Sequence, residues 1–254
     1  MWNGDYRFVL TNLVKKDFKI RYRHMSLGVF WSLLNPIIMM AVLTFVFTRI
    51  FPNPNRKDFA ISVLCGIVPF NFFSLAWVSG TTSVLENVAF IKRVPLPRFI
   101  IPIASVLSNC LHLLIQIALL LALVVGFGYG ISVRWLWLPV VWGLEIVFVC
   151  GLVLLSSAIN IYVRDVRYGV ESINTVMFWL VPIFYSFGSI PQQFRSVYQF
   201  NPVAALIMAL RNILLEGTRP AFSLMWRLSL ISFLTLGIGL VVFQKLQKRF
   251  YEYI

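Results

Sequence analysis

Two ionisable side chains, His112 and Glu145, lie deep inside apolar stretches of the chain. Charge is costly in hydrocarbon, so such residues pair with one another or serve ion and proton coupling. A rise of about 1.5 Å per residue puts both at similar depth on consecutive antiparallel spans. Asn109 and Gln116 flank His112 on the same stretch. That spacing favours a hydrogen bond between helices, with a transport role as the alternative. Other catalytic constellations are absent from the sequence. It has no G-x-x-x-x-G-K-[ST] and no Gly-Lys dipeptide, so it cannot cradle ATP phosphates in a Walker loop. The absence of D-x-D, H-E-x-x-H and G-x-S-x-G argues against a sugar transferase, a zinc protease and a serine hydrolase. Cys65, Cys110 and Cys150 sit in apolar stretches without metal-ligand spacing and read as small buried hydrophobes. No metal and no cofactor is expected on this chain.

The elements that must position these residues are membrane spans. The chain has 254 residues, 59% hydrophobic and 12% charged, with mean hydropathy +0.84. Soluble domains carry about a quarter charged residues, so the composition is that of an integral membrane protein. Apolar runs long enough to cross about 30 Å of hydrocarbon fall near 27–51, 59–85, 99–127, 135–162, 170–187 and 224–243. Asn35-Pro36 interrupts the first, since proline removes a backbone donor. Segment 189–217 is less apolar and rich in turn residues. Asn201-Pro202 reads there as an N-cap followed by proline at the first helical position, and Gly217 as the stop. The helix between them is too short to span comfortably, so it is expected to be re-entrant or interfacial on the outer face. The whole chain reads as one membrane domain, and no cleavable signal peptide is expected, because the basic segment is long and no small-residue cleavage site follows.

The charge is basic: 22 Lys and Arg against 9 Asp and Glu, a net +13. These cations cluster at the ends of spans, which suits lipid headgroups and soluble partners rather than nucleic acid. On a helix over 5–23, Tyr6, Val9, Leu10, Leu13, Val14, Phe18 and Ile20 share one arc, and Lys15, Lys16, Lys19 and Arg23 the other. Asp17 and Arg21 interrupt the apolar arc four residues apart and can pair. Such a helix lies in a membrane surface. Six cations precede the first span, and fourteen of the 22 fall on the side that places both termini in the cytoplasm. On that side, 87–98 combines Phe90 and Ile91 with Lys92, Arg93 and Arg98, an apolar knob ringed by cations that suits a groove on a partner. An ordinary positive-inside loop accounts for the same charges. Arg164 to Arg167 is a second, weaker contact.

The order Arg21-Tyr22-Arg23, Leu27-Gly28, Trp31, Asn35-Pro36 resembles the start of the membrane subunit of polysaccharide ABC exporters, the Wzm-like, O-antigen and teichoic-acid branch of the ABC-2 type permeases. Lys92-Arg93 with Pro97-Arg98, Arg164-Asp165, and Asn201-Pro202 with Arg211 agree, and the resemblance covers essentially the whole chain. It implies an all-α integral membrane protein in a bacterial inner membrane. This has six transmembrane helices, an N-terminal amphipathic interface helix and outer re-entrant helices between helices five and six. It implies a homodimer bound to two copies of a separate ABC ATPase, so that ATP and Mg belong to the partner and this chain is not itself an enzyme. It places a coupling helix at 87–98, with Phe90, Ile91, Lys92, Arg93, Arg98 and Arg164 docking the ATPase, and an outer gate at Asn201, Pro202 and Arg211. Aromatic residues of the first and fifth helices would line the channel: Phe30, Trp31, Phe45, Phe47, Phe178, Trp179, Phe184, Tyr185 and Phe187. The cargo implied is a lipid-linked glycan, undecaprenyl-diphosphate-linked, whose diphosphate meets Arg21 and Arg23. Two alternatives stay open: a permease of the same architecture for a small lipid or drug, and a non-transport membrane scaffold or enzyme acting alone.

Overall fold

Long apolar runs satisfy their backbone in hydrocarbon most simply as helices. The computed structural model describes residues 6–23, 28–50, 58–93 and 97–253, and these contain helices and connections but no strand. The α-helices are α1 (Tyr6–Tyr22), α2 (Trp31–Phe45), α3 (Phe59–Glu86), α4 (Val88–Arg93), α5 (Ile100–Gly126) and α6 (Leu138–Tyr162). They continue with α7 (Val166–Leu180), α8 (Gln192–Phe200), α9 (Pro202–Leu214), α10 (Phe222–Leu246) and α11 (Phe250–Tyr253). A π-turn, Val46–Ile50, extends α2. Among the described residues five helical stretches are long and apolar enough to cross a membrane: Trp31–Ile50, Phe59–Glu86, Ile100–Gly126, Val133–Tyr162 and Phe222–Arg249.

The run read as one span over 170–187 is not one helix. Helix α7 has 15 residues and stops at Leu180. Val181 is extended (φ −79°, ψ 141°) because it precedes Pro182, whose ring disfavours helical backbone at the residue before it.

Helix α3 is central, packing on α2, α5, α6, α7 and α9. Apolar contacts form a large cluster around it, and a smaller one at the α1 end gathers Leu13, Val84, Ile91, Ile100, Ile161, Phe243 and Phe250. Helix α1 lies along α5 there, with Leu13 buried and Lys15 and Lys19 exposed. Lys16 Nζ donates to Asn87 Oδ1 (2.6 Å), tying α1 to the α3–α4 junction. Asp17 sits 3.3 Å from Lys16, a partner the helical-wheel reading did not assign it; the Arg21 side chain lies outside the described residues.

Helices α6 and α10 run parallel at backbone contact. A Cβ on Gly239 would fall 2.3 Å from the Gly151 carbonyl oxygen, and one on Gly151 would fall 2.5 Å from the Leu236 nitrogen. Eleven residues along, Tyr162 Oη donates to Leu246 O (2.8 Å). The α3–α6 seam is as tight, since a Gly80 Cβ would meet Val153 Cγ1 at 2.4 Å. Small residues at such seams let dispersion and polar contacts hold helices where lipid removes the hydrophobic drive.

Short polar side chains lock the interior. Thr81 Oγ1 and Ser156 Oγ are 2.7 Å apart, Asn160 Nδ2 donates to Thr81 O (3.2 Å), and Asn109 Nδ2 donates to Ser79 Oγ (3.0 Å). A single interhelical hydrogen bond in a membrane contributes about 1 kcal/mol. Ser156→Ala is therefore expected to lower the thermal midpoint in detergent by about 2–4 °C, a mild loss readable by a fluorescence melt.

Candidate functional site

Proline at position 36 cannot donate to the carbonyl four residues before it, which is that of Ser32. Helix α5 supplies the missing donor: Gln116 Nε2 reaches Ser32 O at 3.2 Å. This contact closes one side of a cavity of about 830 Å³ bounded by α2, α3, α5 and α7. Trp31, Asn35, Phe70, Asn71, His112, Gln116, Asn174, Phe178 and Trp179 line it. Its rings continue into an aromatic cluster. Phe178 meets Phe70 at 5.4 Å and Phe184 at 6.3 Å; Phe184 stacks on Phe47 at 5.3 Å and meets Trp179 at 5.5 Å and Tyr185 at 5.3 Å. Five of the aromatics expected along a channel thus touch one another. Phe30 and Phe45 project from α2 and its leading turn, exposed and outside this cluster, while Trp31 joins the cavity wall. Phe187 lies apart from both, against the Arg195 guanidinium (6.0 Å).

The break after α7 places bare carbonyls among helices, and Arg211 of α9 gathers them. Its guanidinium donates to Ile183 O (2.6 Å), Tyr185 O (3.2 Å) and Ser62 O (3.0 and 3.2 Å). Three carbonyls from two segments converge on one planar fork, a geometry that suits arginine. Helix α9 begins as its sequence dictates: Asn201 Oδ1 accepts from Val203 N (3.0 Å) and Ala204 N (3.3 Å), with Pro202 at the first helical position. It ends before Gly217, which adopts φ +57°. Beneath α9 lies a second cavity, about 700 Å³, lined by Asp58, Tyr129, Phe187, Arg211, Glu216 and Arg227 among others. Burial, and then a hydrogen bond with Asp58, push the Tyr129 hydroxyl up to about 12, so it stays protonated there.

Several expected site residues take other roles. His112 and Glu145 are not hydrogen-bonded to each other. His112 Nε2 is 3.2 Å from Gln116 Nε2, while both Glu145 carboxylate oxygens are buried without a hydrogen-bond partner. Adjacency in sequence does not fix adjacency in space: α5 and α6 each share a larger surface with α3 than with one another. Ile91 is no exposed knob either. It is buried in the α1-end cluster with Phe90 packed beside it, because a six-residue helix holds its place only by burying its apolar side. Arg98 is half-buried, donating to Gln247 O and lying 5.8 Å from the centre of the Phe250 ring. Lys92, Arg93 and Arg164 are exposed. Of the pair expected at a diphosphate, Arg23 is exposed at the end of α1, and the Arg21 side chain is outside the described residues.

Sequence reasoning missed Phe70, Asn71 and Asn174. Asn174 is 6% exposed, lines the larger cavity, and has neither side-chain polar atom hydrogen-bonded. A signal for it existed: α7 carries Glu171, Asn174 and Thr175 at the i, i+3, i+4 spacing that marks a shared surface. Among the described residues no group of three or more His, Cys, Asp or Glu comes together as a metal site.

Two O-antigen export system permease proteins (RfbA) resemble the chain. One, from Klebsiella pneumoniae, is 28% identical over 99% of this chain and 97% of its own. The other, from Myxococcus xanthus, is 27% identical over 98% and 96%. The polysialic acid transport protein KpsM of Escherichia coli is 22% identical over 91% of each chain. Residues 9–215, from α1 through α9, match the family described as ABC-2 type transporter, and the chain is a member of that family.

Proposed function

We propose that the chain is the channel-forming permease subunit of an ATP-driven exporter. It carries a lipid-linked polysaccharide, undecaprenyl-diphosphate-linked as for O-antigen, from the cytoplasmic to the outer face of a bacterial inner membrane. The observation that carries this reading is the near-full-length likeness to O-antigen export permeases. The ring-walled cavity between α2, α3, α5 and α7 supports it, since sugar C–H faces stack on aromatic rings without demanding one hydroxyl pattern.

Six crossings put both termini in the cytoplasm, as the excess of Lys and Arg on that side favours. The five long helices supply five. Helix α7, about 22 Å long, supplies the sixth together with 181–187. Non-helical backbone is tolerated at membrane depth where protein satisfies it, which is the work of Arg211 here. Helices α8 and α9 then form the outer re-entrant pair, and α1 lies along the cytoplasmic surface. Two copies form the channel as a homodimer. Two copies of an ABC ATPase, which hold ATP and Mg, dock at α4 and at the α6–α7 connection. The diphosphate enters near Arg21 and Arg23, where a guanidinium can take two oxygens at once.

The docking surface gives the test. Arg93→Glu combined with Arg164→Glu reverses two exposed charges and is expected to cut recovery of the ATPase with tagged chain about tenfold or more, since like charges across an interface cost several kcal/mol. The melting midpoint of the chain itself should stay in place. Undiminished ATPase recovery would remove this surface from the docking assignment.

A further inference from the structure

The larger cavity is built from two chemistries. Trp31, Phe178 and Trp179 supply ring faces, while Asn71, Gln116 and Asn174 supply carboxamides. Part of this amide capacity is not spent on the protein. Asn174 is 6% exposed, yet its Oδ1 and Nδ2 both lack a hydrogen-bond partner. Gln116 is 1% exposed; its Nε2 serves Ser32 O and His112, and its Oε1 has none. Buried polar groups in native proteins are nearly always paired, so each exception asks for a ligand or another explanation. A carboxamide offers a donor and an acceptor side by side, which matches a hydroxyl that both donates and accepts.

Charge narrows the ligand further. Among the described residues no lysine or arginine lines this cavity, and its one carboxylate, Glu171, is paired with Arg167 at 2.9 Å, so the lining carries no uncompensated charge. A carboxylate or phosphate in a poorly solvated site needs a cation, and arginine most of all. An anionic unit would meet none in this lining, and the Arg167 guanidinium beside it is already committed to Glu171.

We infer that this cavity is a saccharide subsite selective for uncharged, hydroxyl-rich sugar units, with Asn174 and Gln116 reading hydroxyls between the rings of Trp31, Phe178 and Trp179. The inference rests on the polysaccharide-export reading and adds which sugars pass. The lipid diphosphate is bound elsewhere, near the basic α1 end, so headgroup and glycan are recognised by separate chemistries.

The test uses the full chain in lipid nanodiscs and reads tryptophan fluorescence, with mannopentaose as the uncharged probe and pentagalacturonate as the anionic one. Wild type is expected to bind the uncharged probe at least about tenfold more tightly. Asn174→Ala should weaken that binding about tenfold without lowering the melting midpoint, because it removes an unpaired buried amide. Asn174→Asp should weaken it further. Equal affinity for the two probes, or undiminished mannopentaose binding by Asn174→Ala, overturns the subsite. A cellular arm separates this failure from the wider one. If deleting the chain abolishes surface glycan while both Asn174 variants export at wild-type level, the subsite is wrong and the exporter reading stands. If deletion leaves surface glycan intact, the exporter reading itself falls.

Discussion

Arg211→Met abolishes export and lowers the thermal midpoint of the purified chain by about 10 °C. The carbonyls of Ser62, Ile183 and Tyr185 all accept from this guanidinium. Leaving a buried acceptor unpaired costs about 1–3 kcal/mol. Arg211 is only partly buried, so water recovers some of the loss, and a total of about 3–5 kcal/mol is expected. Each kcal/mol moves the midpoint of a chain this size by about 2–4 °C. The functional loss should exceed the stability loss, because two of these carbonyls, those of Ile183 and Tyr185, belong to the non-helical segment after α7, which is free to change its path once they are orphaned. Arg211→Lys keeps the charge but replaces a planar fork with a single ammonium, which cannot reach all three carbonyls in one geometry. It should fall between wild type and Arg211→Met. A methionine variant with wild-type midpoint and export would show that the break after Leu180 is held by other contacts.

Gly239→Leu yields no monodisperse protein. The new Cβ would sit 2.3 Å from the Gly151 carbonyl oxygen, and both atoms belong to helix backbone that cannot rotate away. The helices must part, which uncouples α10 from α6, the most extensive helix pairing in the chain. Overpacking a core costs about 1–3 kcal/mol where side chains can adjust; here only backbone can move, so the cost lies at or above that range. Gly151→Leu should behave alike, since its Cβ would meet the Leu236 nitrogen at 2.5 Å. Gly237→Ala is the control, two residues away with nothing within 4 Å of the added carbon, and should purify and melt like wild type. Size-exclusion profiles of the three variants decide the matter, and a monodisperse, wild-type-like Gly239→Leu would contradict the close approach.

What the sequence made legible was whatever one helix decides for itself. Apolar length marked six runs, and among the described residues five of them are helices long and apolar enough to cross a membrane. The amphipathic arc of α1 has Leu13 buried at its middle and Lys15 and Lys19 in the open, as its periodicity required, while Tyr6 and Ile20 at its two ends are exposed. Asn201-Pro202 opened α9 and Gly217 closed it, because capping and positive φ are local requirements. Less was legible where two helices decide together. The apolar run through 170–187 hid the break at Val181–Pro182, since hydropathy does not register a lost backbone donor. His112 and Glu145 were drawn together by depth and by the order of their spans, yet His112 meets Gln116 and the Glu145 carboxylate has no hydrogen-bond partner. Ile91 looked like bait for a partner because the cluster that buries it draws on α1 and α10, remote in sequence. The close glycines 151 and 239 carry no mark that distinguishes them from Gly143 or Gly237, whose surroundings are open. Of the site, the aromatics of α2 and α7 were named in advance, whereas the amides that share their cavity were not. Asparagine in an apolar helix reads equally as a packing contact until a cavity is seen beside it.

The most direct test of the account is to purify the tagged chain from its native membranes in mild detergent and measure ATP hydrolysis in the preparation. The account predicts a stoichiometric partner carrying a Walker motif and hydrolysis that follows it, because this chain's own sequence has no Walker loop. A chain that purifies alone and inert, from cells in which its deletion leaves surface polysaccharide unchanged, would contradict it.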